Sequence, residues 1–165
     1  MMKRMSFLLA LACGPGLLLL ADSAQAQLAK SGSFEGVAAW SSYGELTKLP
    51  DGGSYWHGGF NGAFVNGAGS GFLHEAALTC PGAGAKVGGR QFYEGMCVLT
   101  DADGDQAMLL WNCELQADGI CPGPQTWVAG TGKYEGISGK TTFEGRFIGG
   151  TPQGVSRWRG EWRLP

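Results

Sequence analysis

From residue 27 onward the chain has no long run in which apolar residues recur every three or four positions, so it lacks the stripe that lets an amphipathic helix pack. Instead it alternates apolar and polar residues over short runs that stop at turn formers. Thirty of the 165 residues are glycine, and six tryptophans, eight phenylalanines and four tyrosines supply the bulk. Helix is therefore the expected minority state. The candidate strands are Ser33–Ser41, Glu45–Leu49, Tyr55–Val65, Gly71–Thr79, Gln91–Thr100, Gln106–Glu114, Thr126–Gly130, Thr141–Ile148 and Val155–Leu164. Asn66-Gly67-Ala68-Gly69-Ser70 and Asp103-Gly104 have the chemistry of turns between antiparallel neighbours, which predicts an all-β meander.

The period of two is clearest near the C-terminus. In VSRWRGEWRL, Trp158, Trp162 and Leu164 point one way, and Arg157, Arg159, Glu161 and Arg163 the other. In TTFEGRFI, Phe143, Gly145 and Phe147 share a face opposite Thr142, Glu144 and Arg146. If the two segments pair, their charged faces meet at the surface as cross-strand ion pairs.

The N-terminus reads differently. Lys3 and Arg4 precede an apolar run from Phe7 to Ala21, and Ala24-Gln25-Ala26 offers the small residues of a cleavage site. Residues 1–26 are read as a cleavable signal peptide and 27–165 as one β domain exported to the periplasm or the extracellular space. An alternative takes Ala10-Leu11-Ala12-Cys13 as a lipoprotein box, but the apolar run continues beyond Cys13 to Leu20. The mature chain shows no second apolar run of membrane-spanning length. Removing Lys3, Arg4 and Asp22 leaves ten basic and thirteen acidic residues, a net charge near −3. These charges are scattered, with no basic stripe to suggest nucleic acid.

Cys13 leaves with the leader, so Cys80, Cys97, Cys113 and Cys121 remain. An even number in an exported chain argues for two disulfides, with three connectivities open. Cys80 with Cys97 and Cys113 with Cys121 is preferred, because each pair brackets a Gly/Pro-rich connection. No Cys-x-x-Cys occurs and neither histidine sits near a cysteine pair, which excludes the usual zinc patterns.

Asp101, Asp103 and Asp105 match the first three ligand positions of an EF-hand loop, but Gln106 stands where the glycine belongs and Asn112 where the bidentate glutamate belongs. The flanks read as strands. A hairpin tip is the economical reading, and a weak surface calcium site is the alternative. Gly139-Lys140-Thr141 lacks the earlier glycine and the following helix of a phosphate loop, and Gly67-Ala68-Gly69-Ser70-Gly71 lacks the context of a dinucleotide fingerprint. No cofactor is implied.

The most distinctive stretch is GTGKYEGISGKTTFEG, Gly130 to Gly145. It predicts a tight turn at Gly130 and Gly132, Tyr134 and Ile137 packed inward, and a strand resuming after Gly139. With CVLTDADGD, WNC and the closing WRGEWRL, the run from about Cys80 to Pro165 resembles small exported bacterial proteins grouped with the allene oxide cyclase-like barrels, relatives in fold of plant dirigent proteins. The resemblance implies a single eight-stranded antiparallel β-barrel with a cavity. It carries no catalytic residue onto this chain, since the matching residues are glycines and packing aromatics.

Three functional readings follow. A binding module would hold a small apolar or aromatic ligand, with Trp40, Trp56, Trp111 and Trp127 as wall candidates. A cyclase or isomerase would use the same cavity with an acid/base group drawn from His57, His74, Glu75 and Glu94. The two histidines are expected on strands flanking the Asn66–Ser70 turn, where they could approach one another. A structural or envelope interaction protein would have its barrel packed solid. The oligomeric state is left open.

Overall fold

The computed structural model describes residues 28–165; the leader and lipoprotein readings, both within residues 1–26, lie outside the described residues. Eight strands follow in chain order: β1 Ser31–Lys48, β2 Ser54–Asn66, β3 Ala76–Val87, β4 Arg90–Thr100, β5 Gln106–Glu114, β6 Cys121–Gly130, β7 Gly139–Phe147 and β8 Gln153–Arg163. Each pairs antiparallel with its neighbours in sequence, and β8 returns to β1, closing the barrel. Closure gives every strand a partner on both sides. The only helix among the described residues is one 3-10 turn, Gly132–Tyr134.

Alternation decides what faces inward. On β8, Val155 and Arg157 lie on the outer face while Ser156, Trp158 and Trp162 are buried, and on β7 Thr141, Phe143 and Gly145 are buried. The charged outer faces meet as expected, with Glu144 4.0 Å from Arg159.

Two strand expectations need correction. Ser33–Ser41 and Glu45–Leu49 are not separate strands: β1 runs unbroken through Gly44, which pairs with Gly58 on β2. A Cβ on either glycine would overlap backbone of the facing strand, so Gly44 marks a close approach and not a chain break. Gly71–Thr79 is a strand only from Ala76. Residues 67–75 form a loop that folds over one end of the barrel and buries Phe72 and Leu73 in the core. Hydrophobic content had made this loop look like strand. Asn66 anchors it: the Asn66 Nδ2 donates to the Phe72 carbonyl at 2.8 Å and its Oδ1 accepts the Ala68 N–H at 2.9 Å.

β6 begins five residues earlier than its expected start at Thr126, and it contains Pro122 and Pro124. The β5–β6 register starts at Trp111↔Gln125, so neither proline falls within that paired stretch, where its missing N–H would cost a ladder bond. Beyond that point the Cys113–Cys121 disulfide joins the two strands. Cys80 and Cys97 bridge β3 to β4. The preferred connectivity is the one found.

The barrel has two unlike ends. At one, which we call the closed end, Phe34, Phe72, Trp127, Tyr134, Ile137 and Trp162 are buried together, with Phe72 stacked on Trp162 at 4.6 Å. The turn after Gly130 does what the sequence predicted, placing Tyr134 and Ile137 inward. The other end, framed by the β1–β2, β3–β4, β5–β6 and β7–β8 turns, is open.

Candidate functional site

A cavity enters the open end. Its wall is built from all eight strands: Trp40 on β1, Phe60 on β2, Leu78 on β3, Tyr93 on β4, Trp111 on β5, Cys121 and Gln125 on β6, Phe143 and Phe147 on β7, and Trp158 on β8. Both disulfides form part of the lining. The cavity volume is about 80 Å³. For comparison, an apolar cavity of about 150 Å³ takes up benzene. The cavity therefore suits a small group, with the rest of any larger ligand lying outside it. An outer vestibule of about 120 Å³, lined by Ser42, Leu46, Trp56 and Gln91, shares Phe60, Tyr93 and Phe147 with it.

Glycines on neighbouring strands make room for these rings. A Cβ on Gly154 would overlap Trp40, one on Gly84 would overlap Tyr93, and one on Gly95 would come within 2.8 Å of Trp111. Each ring lies against backbone where any other residue would push it away, so the wall is aromatic and thin at the same positions. The rings also contact one another: Trp40 meets Phe60 at 4.8 Å and Phe147 at 5.0 Å, both edge to face.

Polar groups in the wall are few. The Trp40 Nε1 donates to Ser156 Oγ at 2.9 Å, which fixes the indole across the barrel. Tyr93 is the tyrosine of the wall; burial pushes its hydroxyl above the ordinary phenol value, opposed by a hydrogen bond donated from Gln91. It therefore stays protonated at neutral pH.

The acid/base candidates lie elsewhere. His57 is on the outer face of β2, 57% exposed and 3.9 Å from Glu45. Glu94 is exposed on the outer face of β4. His74 sits in the 67–75 loop at the closed end, 3.8 Å from an exposed Glu75. The strand placement expected for His74 does not hold, and the two histidines occupy opposite ends of the molecule. None of the four lines the cavity. Of the tryptophan candidates, Trp40 and Trp111 line the deep cavity and Trp56 the vestibule, whereas Trp127 packs between Phe34 and Phe72 toward the closed end.

Phe60, Tyr93, Phe143, Phe147 and Trp158 were not singled out as wall residues. Their signal was the same inward parity that marks Trp40 and Trp56; weighting tryptophan above the other aromatics obscured it for the phenylalanines and Tyr93, while Trp158 was assigned to an inner face without being assigned to the wall. A larger concavity near the closed end is more open and bordered by Glu35, Lys140, Arg159 and Glu161, so it offers less exclusion of water.

The aspartates at the β4–β5 turn surround a side-chain cation. Asp101 Oδ1 accepts the N–H groups of Asp103 and Asp105 at 2.9 and 3.1 Å. Lys133 Nζ lies 2.8 Å from Asp101 Oδ2 and pairs with Asp103, and the Lys133 N–H donates to Asp105 Oδ2 at 3.1 Å. Burial would raise the Asp101 carboxyl, but hydrogen bonds from Lys133 and Tyr134 outweigh it and hold that carboxyl below its ordinary value. Burial likewise acts to lower Lys133, and the two carboxylates overcome it and raise its pKa. Among the described residues no group of three or more His, Cys, Asp or Glu side chains is placed to hold a metal.

No protein-family model matches this chain, and no curated protein matches it by sequence. Solved structures do match. The pterocarpan synthase dirigent protein PsPTS1 aligns with a TM-score of 0.52 at 11% identity, over 84% of this chain and 97% of its own. The pterocarpan synthase dirigent protein GePTS1 aligns with a TM-score of 0.51 at 9% identity, over 84% and 88%. The barrel is dirigent-like in fold. At these identities the likeness concerns the path of the backbone and says nothing of the chemistry. Among the described residues of this dirigent-like barrel, no helix is long and apolar enough to cross a membrane.

Proposed function

We propose that the protein is an exported barrel that binds a small apolar or aromatic molecule at its open end. The observation that carries this is the asymmetry of the interior: one end is filled by its own aromatic side chains, while the other leaves an apolar, ring-lined concavity open to solvent. Eight-stranded barrels either fill with side chains or hold one small ligand, and here each end takes one of those courses. The leader read at residues 1–26 and the two disulfides support export, as does the resemblance to the exported allene oxide cyclase-like group.

A thermal-shift panel of apolar and aromatic compounds on the oxidised protein tests the reading. A ligand that binds only the folded state raises the melting temperature by mass action. A saturable rise in the wild type that is lost in Leu78→Phe, which fills the deep cavity, is the expected result. No rise with any compound would leave a purely structural barrel.

A second reading, a cavity that constrains ring closure of a bound intermediate, is favoured by the names of the two solved neighbours, both pterocarpan synthases. His57, His74, Glu75 and Glu94 do not reach that cavity. Tyr93 does, as a proton donor, so turnover that disappears in Tyr93→Phe with binding retained would support it.

A further inference from the structure

The vestibule outside the cavity is more polar than the cavity itself, and strand register orders its polar side. Lys86 on β3 lies directly opposite Ser54 on β2 and Gln91 on β4, so the three form one row across neighbouring strands. All three line the vestibule. Lys86 has the parity of the buried Leu78, Cys80 and Gly84, which sends its side chain toward the barrel mouth. Lys48 extends the row beyond Ser54, its direct partner from β1. The next row inward holds Leu46, Trp56, Gly84 and Tyr93, also in register, and the apolar cavity follows. Polarity thus falls in steps from rim to interior.

The charges at this end have one sign. The charged residues that line the cavity or the vestibule are Arg146 and Lys86, and no Asp or Glu lines either space. Arg146 has the outward parity of Thr142 and Glu144 on β7, so Lys86 is the cation that the vestibule itself presents. Among the described residues, the ion pairs involve neither Lys48 nor Lys86. A second donor stands beside Lys86. Gln91 Nε2 donates to the Tyr93 hydroxyl oxygen, which leaves the Tyr93 O–H free to donate to another acceptor. Lys86 and Tyr93 are diagonal neighbours on β3 and β4, a spacing that long side chains span.

Resting on the cavity reading above, we infer that the ligand is an amphipathic anion, with a carboxylate head held in the vestibule by Lys86 and Tyr93 and a narrow hydrocarbon tail that passes Phe60 and Phe147 into the cavity. Phe60, Tyr93 and Phe147 border both spaces, so one molecule can occupy the two together. A cavity of about 80 Å³ takes the end of such a tail. The head stays at the solvent-exposed rim and is spared the cost of burying a charge. An ammonium head would meet Lys86 with like charge.

The test compares octanoate, octanol and octylammonium on the oxidised wild-type protein at neutral pH and low salt, followed by calorimetry and tryptophan emission. The three share a tail and differ in the head. Octanoate is expected to bind about tenfold more tightly than octanol, the equivalent of one charge-assisted hydrogen bond, and octylammonium should bind least. High salt should shrink the advantage of octanoate, because the charge of an exposed lysine is screened. In Lys86→Met, which keeps an apolar stem, octanoate should fall to the affinity of octanol while octanol holds. Equal binding of octanoate and octanol by the wild type, or tighter binding of octylammonium, overturns this inference and leaves the cavity reading intact. An unchanged octanoate affinity in Lys86→Met overturns the seat assigned to the head. Failure of all three probes removes the cavity reading, and this one with it.

Discussion

The two ends of the barrel are made of similar residues put to opposite uses. At the closed end Phe34, Phe72, Trp127, Tyr134 and Trp162 pack on one another in the core, because the 67–75 loop brings Phe72 and Leu73 in from outside the strands. At the open end Trp40, Phe60, Tyr93 and Phe147 line a space, and the connection between β5 and β6 reaches it with Leu115 and Gly119 but buries no ring in it. The difference teaches that aromatic content alone does not separate core from ligand wall; the loops decide. It also has a conformational cost on one side. Leu73 and Glu75 hold φ of 51° and 56°, in the left-handed region that side chains disfavour, and burial of Phe72 and Leu73 offsets that.

The sharpest way to break the comparison is to truncate one ring at each end. Phe72→Ala should cost about 3–5 kcal/mol in denaturant unfolding, as for other fully buried aromatics. Phe147→Ala, at a ring 45% exposed at the mouth, should cost under about 1 kcal/mol yet weaken ligand binding. The opposite ranking would mean that the open end is the true core.

Next come the disulfides, which both line the open end. Loop-closure entropy for separations of 17 and 8 residues gives about 3 and about 2.5 kcal/mol. Replacing Cys80 and Cys97 together by alanine should therefore lower stability slightly more than replacing Cys113 and Cys121, as measured by unfolding against a reduced control. Both pairs should disturb ligand affinity more than Asp101→Asn does.

Asp101 and Lys133 belong to the closed end and give it a pH dependence. The Asp101 carboxyl sits below its ordinary value in the folded state, so its contribution is fully present above the unfolded value of about 4 and is lost as pH falls through the lower folded value. Asp101→Asn should cost about 1.5–3 kcal/mol near neutrality, the range for hydrogen bonds to charged groups. It should also flatten the fall in melting temperature on acidification. A variant with an unchanged acid limb would show that the pair contributes nothing to folding.

Gly154→Ala is the subtler probe of the open end. Its methyl group would displace the Trp40 ring from its seat and from Ser156, with an expected cost near 1 kcal/mol and a change in near-ultraviolet dichroism. The smallest effect expected is that of calcium, since Lys133 already supplies a cation to Asp101 and Asp103. Adding calcium or chelator should leave the melting temperature where it is. A saturable rise with calcium would restore the metal reading of Asp101, Asp103 and Asp105.

Much of this was legible in the chain. The alternation of VSRWRGEWRL named the buried tryptophans of β8, and the bracketing of Gly/Pro-rich connections named both disulfides. Where the reading failed, a residue type had been given one meaning and the fold used another. Residues 42–44 were left between two candidate strands, but Gly44, opposite Gly58, is a point of close approach within a continuous strand. Phe72 and Leu73 were read as strand, since burial in a loop and burial in a strand leave the same hydrophobic mark. Gln125 carried no signal at all: a polar residue among Pro124, Thr126 and Trp127 gives no hint that it is buried in the lining of a cavity.

What the sequence by itself determined is therefore the class of structure: antiparallel strands and their inward faces, with a preference among three cysteine pairings that the fold then decided. Those depend on period, turn chemistry and spacing, all local along the chain. Only the tertiary structure decided which end is closed, that Lys133 reaches back across 30 positions to Asp103, and that Trp111, Gln125 and Trp158 line one cavity. Closure of β8 onto β1 sets these relations, and residues brought together by closure keep no mark of it in their own neighbourhoods.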